Sequence, residues 1–341
     1  MALARISLNA PPIIDETKAY LAFGKGAIKK LNRELKSEKG LIREKAAKAL
    51  TDYLHDHEHI AEAVHEGVTN SLKFLLSDSR ISCRAYAAEC LMIMCQHALG
   101  RKAVVENGVL YEFYDLLKRS QTDTVRMNTH QALELISRIP TGAKAIAQAG
   151  FFPLLVELAQ YEITPIKIYI LETLKHCINM DTKRALDAGG IQIFTDLLYD
   201  FSEDVRSMAA DNIYRLCILA RGKQEVLEEQ TIPDLVALLQ DESNEVKASA
   251  AAALSVICTT NHGRYAALNC GAIPSLLELL DNENSRVRVN VLKAITSLSE
   301  TPEGRSILLD HLDMIKPHEN DKNANVSKHA KTAVSVITWK P

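Results

Sequence analysis

Residues 271–310 read GAIPSLLELLDNENSRVRVNVLKAITSLSETPEGRSILLD, and the rest of the chain falls into register around them. Gly271 suits the end of one helix and Pro274 the first turn of the next. Leu276, Leu277, Leu279 and Leu280 then share one broad apolar face. Asp281-Asn282-Glu283-Asn284-Ser285 interrupts the pattern with turn formers. A longer helix begins at Val287-Arg288 and turns Val291, Ala294, Ile295 and Leu298 inward; Thr301-Pro302-Glu303-Gly304 stops it, and Arg305 to Leu309 forms a short third helix.

The unit recurs. Residues matching Gly271 stand at Gly26, Gly67, Gly108, Gly150, Gly189 and Gln230, at intervals of 41, 41, 42, 39, 41 and 41 residues. The position two residues on reads Ile28, Thr69, Leu110, Phe152, Ile191, Ile232 and Ile273. The Val-Arg signal returns as Ile42-Arg43, Cys83-Arg84, Val125-Arg126, Ile166-Lys167, Val205-Arg206 and Val246-Lys247. A third marker opens the short helix as Gly100-Arg101, Gly222-Lys223, Gly263-Arg264 and Gly304-Arg305. Independent markers in one register mean a repeat architecture, in which each unit buries its apolar face only against its neighbours.

Gly271-Ala-Ile-Pro through Leu280, and Ile232-Pro233-Asp234-Leu235-Val236-Ala237-Leu238-Leu239, resemble the second helix of the armadillo repeat. The likeness covers roughly residues 26–312. It implies an all-α fold, a right-handed superhelical solenoid of about seven repeats of ~41 residues with terminal caps. The two-helix HEAT repeat is the nearest alternative, and the Gly-Arg segment argues against it by supplying a third helix. On this reading residues 1–16 form an irregular arm around Ala10-Pro11-Pro12, and a cap helix starts over Thr17 to Phe23. The solenoid occupies 17–312, and 313–341 is a polar linker followed by a capping helix from Val326 to Ile337.

Composition agrees. Hydrophobic residues make up 47% and aromatics 5%, which suits helices packed through Leu, Ile, Val and Ala. A net charge of −3 gives no reason to expect nucleic acid or an anionic membrane as partner. Met1 to Ala10 holds no long apolar run, and the run Ala250 to Cys258 is too short to span a bilayer, so a soluble chain is expected. The seven cysteines form no C-x-x-C pair and read as reduced thiols of an intracellular protein.

The ends carry a narrower likeness. Arg5-Ile6-Ser7, Ala10-Pro11-Pro12, Leu21-Ala22-Phe23-Gly24 and Lys30-Leu31-Asn32 lie at one end. Gly263-Arg264-Tyr265-Ala266-Ala267-Leu268, Pro302-Glu303-Gly304-Arg305, Ser335-Val336-Ile337 and Lys340-Pro341 lie toward the other. In this order they resemble the radial spoke head 14 family, also called the rhabdoid tumour deletion region protein family. That resemblance implies a structural subunit of the axonemal radial spoke in motile cilia and flagella. Its partners would be other spoke proteins, with indirect association to doublet microtubules.

In armadillo solenoids the long third helices line a groove, and residues three, four and seven apart share a helix face. The corresponding positions are Tyr86, Glu89 and Ile93; Asn128, Gln131 and Leu135; Tyr169, Glu172 and His176; and Met208, Asp211 and Arg215. This mixed apolar and acidic face is expected to hold a helical or extended segment carrying apolar and basic residues, against the plainer reading of a solvated surface. Nuclear-import adaptors carry a Trp and, four residues on, an Asn. Here the Trp positions read Lys48, Glu89, Gln131, Glu172, Asp211, Ala252 and Lys293, and the Asn positions Asp52, Ile93, Leu135, His176, Arg215, Val256 and Ser297. That ladder is missing, which leaves a general cargo or signalling adaptor as the competing class.

No catalytic, cofactor or metal-ligand signature appears. His55, His57 and His59 alternate near a repeat junction but lack the spacing of a metal site. Cys90 and Cys95 lie in one helix, Cys90 at a buried Ala-type position, and both read as structural thiols. Tyr199 and Phe201 either fold back on the rod or stand as contact anchors, and the lone Trp339 poses the same choice.

Overall fold

The structure is a computed structural model that describes residues 16–19, 26–119 and 121–339. Among these residues the regular elements are twenty-three α-helices and two short 3-10 helices, with no strand. The arm expected over 1–16 and the cap helix expected over Thr17 to Phe23 lie outside the described residues except at 16–19, where the backbone turns rather than coils into a helix. Among the described residues, no helix is long and apolar enough to cross a membrane.

Each repeat is built from three helices. In the stretch first read, Ala272–Glu278, Ser285–Leu298 and Pro302–Leu309 form in order. The middle helix ends two residues before the last leucine of its apolar run, and Leu279 and Leu280 enter the core from the turn. Thr301-Pro302 opens the short helix rather than merely stopping the long one. The Thr301 hydroxyl accepts the Gly304 N–H, and Pro302 occupies the first turn, where a missing N–H does no harm.

The chain divides into two compact units, residues 1–135 and 136–341, with the boundary inside the long helix Asp123–Ser137. In the first, the long helices Gly40–Leu54 and Ile81–Cys95 lie against each other, burying Leu50, Leu54, Leu91 and Met94. In the second, Thr164–Ile178, Glu203–Leu216, Asn244–Ile257, Ser285–Leu298 and Ala324–Ile337 each pack on the next. Alanines such as Ala209, Ala210, Ala250 and Ala251 are fully buried; their small side chains let neighbouring helix backbones approach closely. Buried Phe151, Phe152 and Phe194 on the middle helices fill the remaining volume.

At six of its seven positions the repeat marker is a backbone requirement; Gly26, before the first helix, has φ −90° and does not share it. Gly67, Gly108, Gly150, Gly189 and Gly271 all adopt φ between 67° and 83°, the left-handed region that joins the short helix to the middle one. Gln230 occupies the same place and keeps the same conformation at φ 54°, alone among the described non-glycine residues. A side chain there carries a strain of about 1 kcal/mol. Gln230→Gly is therefore expected to raise stability by up to about 1 kcal/mol, checked by urea unfolding; an unchanged midpoint would show that the Gln230 side chain offsets its own strain.

The Val-Arg marker is an inter-repeat staple. Arg43 Nε donates to Asp78 at 2.6 Å, Arg206 to Asp241 at 2.8 Å and Arg288 to Asp321 at 3.0 Å, while Lys167 reaches Asp200 at 2.8 Å and Arg84 reaches Gln121 at 3.0 Å. The same arginines clasp the loop before their own helix: Arg206 Nη1 donates to the Asp200 and Phe201 carbonyls, and Arg288 Nη1 to those of Asn282 and Glu283. Each aspartate also accepts the N–H two residues on, as Asp241 does from Ser243. Burial pushes the Asp241 pKa up, but the Arg206 hydrogen bond, the Ser243 N–H and nearby positive charge outweigh it, and the net shift is downward. The charge-assisted bonds of such a clasp contribute roughly 1.5–3 kcal/mol each. A depressed carboxylate pKa means that this contribution is present above the usual value of 3.8 and is lost as pH falls through the folded-state value.

The polar stretch after Leu312 is a degenerate further unit rather than a linker. Leu312–Ile315 and the 3-10 helix Lys316–Asn320 stand where a middle helix would, and Ala324–Ile337 takes the long-helix place. Asp321 closes the last staple with Arg288.

Candidate functional site

Ten of the twelve groove positions lie half-buried on the long helices: Tyr86, Glu89, Asn128, Gln131, Tyr169, Glu172, His176, Met208, Asp211 and Arg215. Ile93 and Leu135 do not join them; at 1% and 9% exposure they belong to the core. Near the C-terminal end of Ile81–Cys95 the next short helix, Ala98–Glu106, packs against the long one. At the same register His176 and Arg215 are polar and stay half-buried, engaging Glu172 and Asp211 on their own helices.

The acidic character expected of this face is largely cancelled on the helices that carry it. Glu172 is paired with Lys175 at 3.2 Å and His176 at 3.8 Å, and Asp211 with Arg215 at 3.2 Å. Glu89 keeps a raised pKa, pushed up by burial and by Asp52 against the opposing influence of His55. These i,i+3 and i,i+4 pairs are legible in the sequence; the expectation of an acidic face counted the carboxylates without the bases one turn away.

A concavity on the long-helix face begins beside Arg215, at Tyr214, and continues along the second unit. A depression of about 340 Å³ opens over Glu203–Leu216, Asn244–Ile257, Ser285–Leu298 and Ala324–Ile337, lined by Tyr214, Val256, Asn290, Lys293, Ser297 and His329 among others. Ala252, Val256 and Ser297 occupy register positions that carry the larger Glu172 or Asp211 and His176 or Arg215 upstream, while Lys293 stands on the wall. The signal was available: continuing the register through repeats six and seven reaches these residues, and small side chains on that face leave a hollow.

The remaining candidates are structural. Cys83, Cys90, Cys95, Cys177, Cys217 and Cys258 are buried free thiols, and burial raises their pKa, to about 11 for Cys83 and about 12 for Cys95, Cys177 and Cys258. They are held as protonated thiols, which are poor nucleophiles. His59 stacks on Tyr53 with ring centroids 3.6 Å apart and bonds the Tyr53 carbonyl through Nδ1. The Tyr199 hydroxyl donates to Asp234 of the following repeat, whereas Phe201 is fully exposed at the tip of a loop held by Arg206. Trp339 lies over Arg305, 5.6 Å from its ring centroid, and stays 59% exposed.

Residues 168–339 match the family described as the plant U-box protein ARM repeat region. The fold is similar to an engineered protein of a structural genomics consortium, at 23% identity and a TM-score of 0.85, over 93% of this chain and 79% of that one. It is also similar to a designed armadillo repeat protein, at 22% identity and a TM-score of 0.61, over 67% of this chain and all of the other. A further designed armadillo repeat protein, solved in complex with the peptide (KR)4, matches at 21% identity and a TM-score of 0.62, over 67% of this chain and 99% of that one.

Proposed function

The chain belongs to the armadillo-repeat family, and from that premise we propose that it works by binding, without chemistry of its own, as a structural subunit of the axonemal radial spoke. The observation that carries the binding reading is a repeated face: long helices in register present half-buried side chains of mixed character, repeat after repeat. Such a surface suits a helical or extended segment of a partner protein. The narrower assignment rests on the terminal motifs, from Arg5-Ile6-Ser7 to Lys340-Pro341, that resemble the radial spoke head 14 family. Its setting is then the cytoskeleton of the cilium or flagellum, with other spoke proteins as partners and microtubule doublets reached through them.

A soluble adaptor for cargo or signalling peptides is the second reading, favoured by the designed armadillo protein that holds (KR)4. Extraction separates the two. A spoke subunit stays with demembranated axonemes and leaves only with high salt or chaotrope. Release by detergent alone would overturn the spoke assignment and favour the adaptor.

A further inference from the structure

We propose that the depression over Tyr214, Lys293 and His329 docks an extended partner segment through an Asp or Glu side chain, set among small apolar neighbours. This deepens the scaffold reading and rests on it.

The first ground is charge. None of the described residues lining the depression is Asp or Glu, and Lys293 is exposed on its wall with no ion pair among the described residues. Lys328, one residue from His329, adds a second positive charge on the adjoining helix. Burial lowers the His329 pKa, and the charges of Lys293 and Lys328 act in the same direction. Upstream, by contrast, Lys175 and Arg215 are already satisfied by Glu172 and Asp211. Lys293 and Lys328 therefore bring positive charge to a depression whose described lining carries no carboxylate.

The second ground is the pattern of donors. Thr296 donates its hydroxyl to Leu292, Ser297 to Ser255 and Ser255 to Ala252, and the Asn290 amide donates to the Ala248 carbonyl. Thr259 and Thr332 likewise donate to the Val256 and Lys328 carbonyls, and among the described residues the Lys293 ammonium, the Tyr214 hydroxyl and the His329 ring are left without a hydrogen bond on this wall. One point charge with two neutral donors fits a singly charged carboxylate. A phosphate calls for an arginine fork or several cations, and no arginine lines the depression. Ala252, Val256 and Ser297 leave space for a main chain to lie across the helices, and the Tyr214 ring and Val256 offer apolar contact beside the charge.

The test uses the full chain and fluorescein-labelled decamers (EA)5, (QA)5 and (KR)5 in anisotropy titrations. The expected result is saturable binding of (EA)5, weakened by added salt and by about ten-fold in Lys293→Glu, with (QA)5 bound more weakly. Lys102→Glu, an exposed position in the other unit, makes the same change in net charge and is expected to leave (EA)5 binding unaltered. Absence of (EA)5 binding, or equal losses in Lys293→Glu and Lys102→Glu, overturns the acidic-segment inference. Tighter binding of (KR)5 overturns it too while leaving the scaffold reading in place, which stands or falls on axoneme extraction.

Discussion

Gly263→Ala should lower the stability of the folded chain by about 3 kcal/mol, because the added methyl group meets backbone rather than a side chain that can give way. Gly263 lies in the first turn of the short helix Asn261–Asn269, directly over the end of the long helix Asn244–Ile257. A Cβ there would fall well inside van der Waals contact distance of the Ile257 carbonyl oxygen and 2.9 Å from its carbon. That carbonyl is not free to move, since it accepts the Thr260 N–H at 3.3 Å and the Thr260 hydroxyl at 3.1 Å. The same Thr260 hydroxyl caps the short helix by accepting the Gly263 N–H. The junction must open to admit the methyl group.

A paired substitution makes the mechanism checkable. Gly271 has nothing within 4 Å of a built Cβ, but its φ is 71°. Asn tolerates the left-handed region, so Gly271→Asn should cost no more than about 1 kcal/mol. Gly263→Asn should cost at least as much as Gly263→Ala. Urea unfolding followed by circular dichroism reads both, and equal losses at the two sites would refute the distinction between space and backbone conformation.

The second large effect is expected at His130. Both ring nitrogens are buried without a hydrogen-bond partner, and burial, with the Arg126 charge acting the same way, lowers its pKa from 6.5 to about 3. In the unfolded chain the ring takes a proton near its ordinary value, so between these limits the unfolded state binds more protons. Stability from this group is therefore complete above pH 6.5 and is lost as pH falls toward 3. One proton costs about 1.4 kcal/mol per pH unit in that window, so lowering pH from 6.5 to 4.5 should remove about 2–3 kcal/mol.

His130→Leu should abolish that part of the slope. It should also stabilise the chain at neutral pH by roughly 1–3 kcal/mol, because an apolar side chain leaves no buried polar atom unsatisfied. Urea midpoints of the two proteins across this pH range test the idea; parallel profiles would sink it. The aspartate staples do not confound the comparison, since Asp78, Asp200, Asp241 and Asp321 have pKa values shifted below the usual 3.8 and titrate under the window used.

Much of the candidate surface was legible. Register placed Tyr169, Glu172, Met208 and Asp211 on the long-helix face, and it extends without change to Lys293 and Ser297. What register did not carry is which of these positions is covered and which is electrically satisfied. Ile93 and His176 hold the same place in their repeats, yet one is core and the other is half-exposed and paired with Glu172. A period of 41 residues says which residues are equivalent by position, whereas exposure depends on how far each side chain reaches past the neighbouring helix.

The sequence by itself determined the three-helix repeat, its register and the places where the backbone must turn, because periodic apolar spacing and turn chemistry act over a few residues and repeat in every unit. Only the tertiary structure showed that the two glycines of a repeat answer to different constraints: Gly271 is needed for its dihedral angle, and Gly263 for the carbonyl of Ile257 pressed against it. Only it showed that Arg206 reaches Asp241, thirty-five residues on, or that the hollow lies over Val256 and Lys293. Contacts between neighbouring repeats depend on the distances at which separately formed helices come to rest, and those distances are set by the summed packing of the repeats rather than by any one segment.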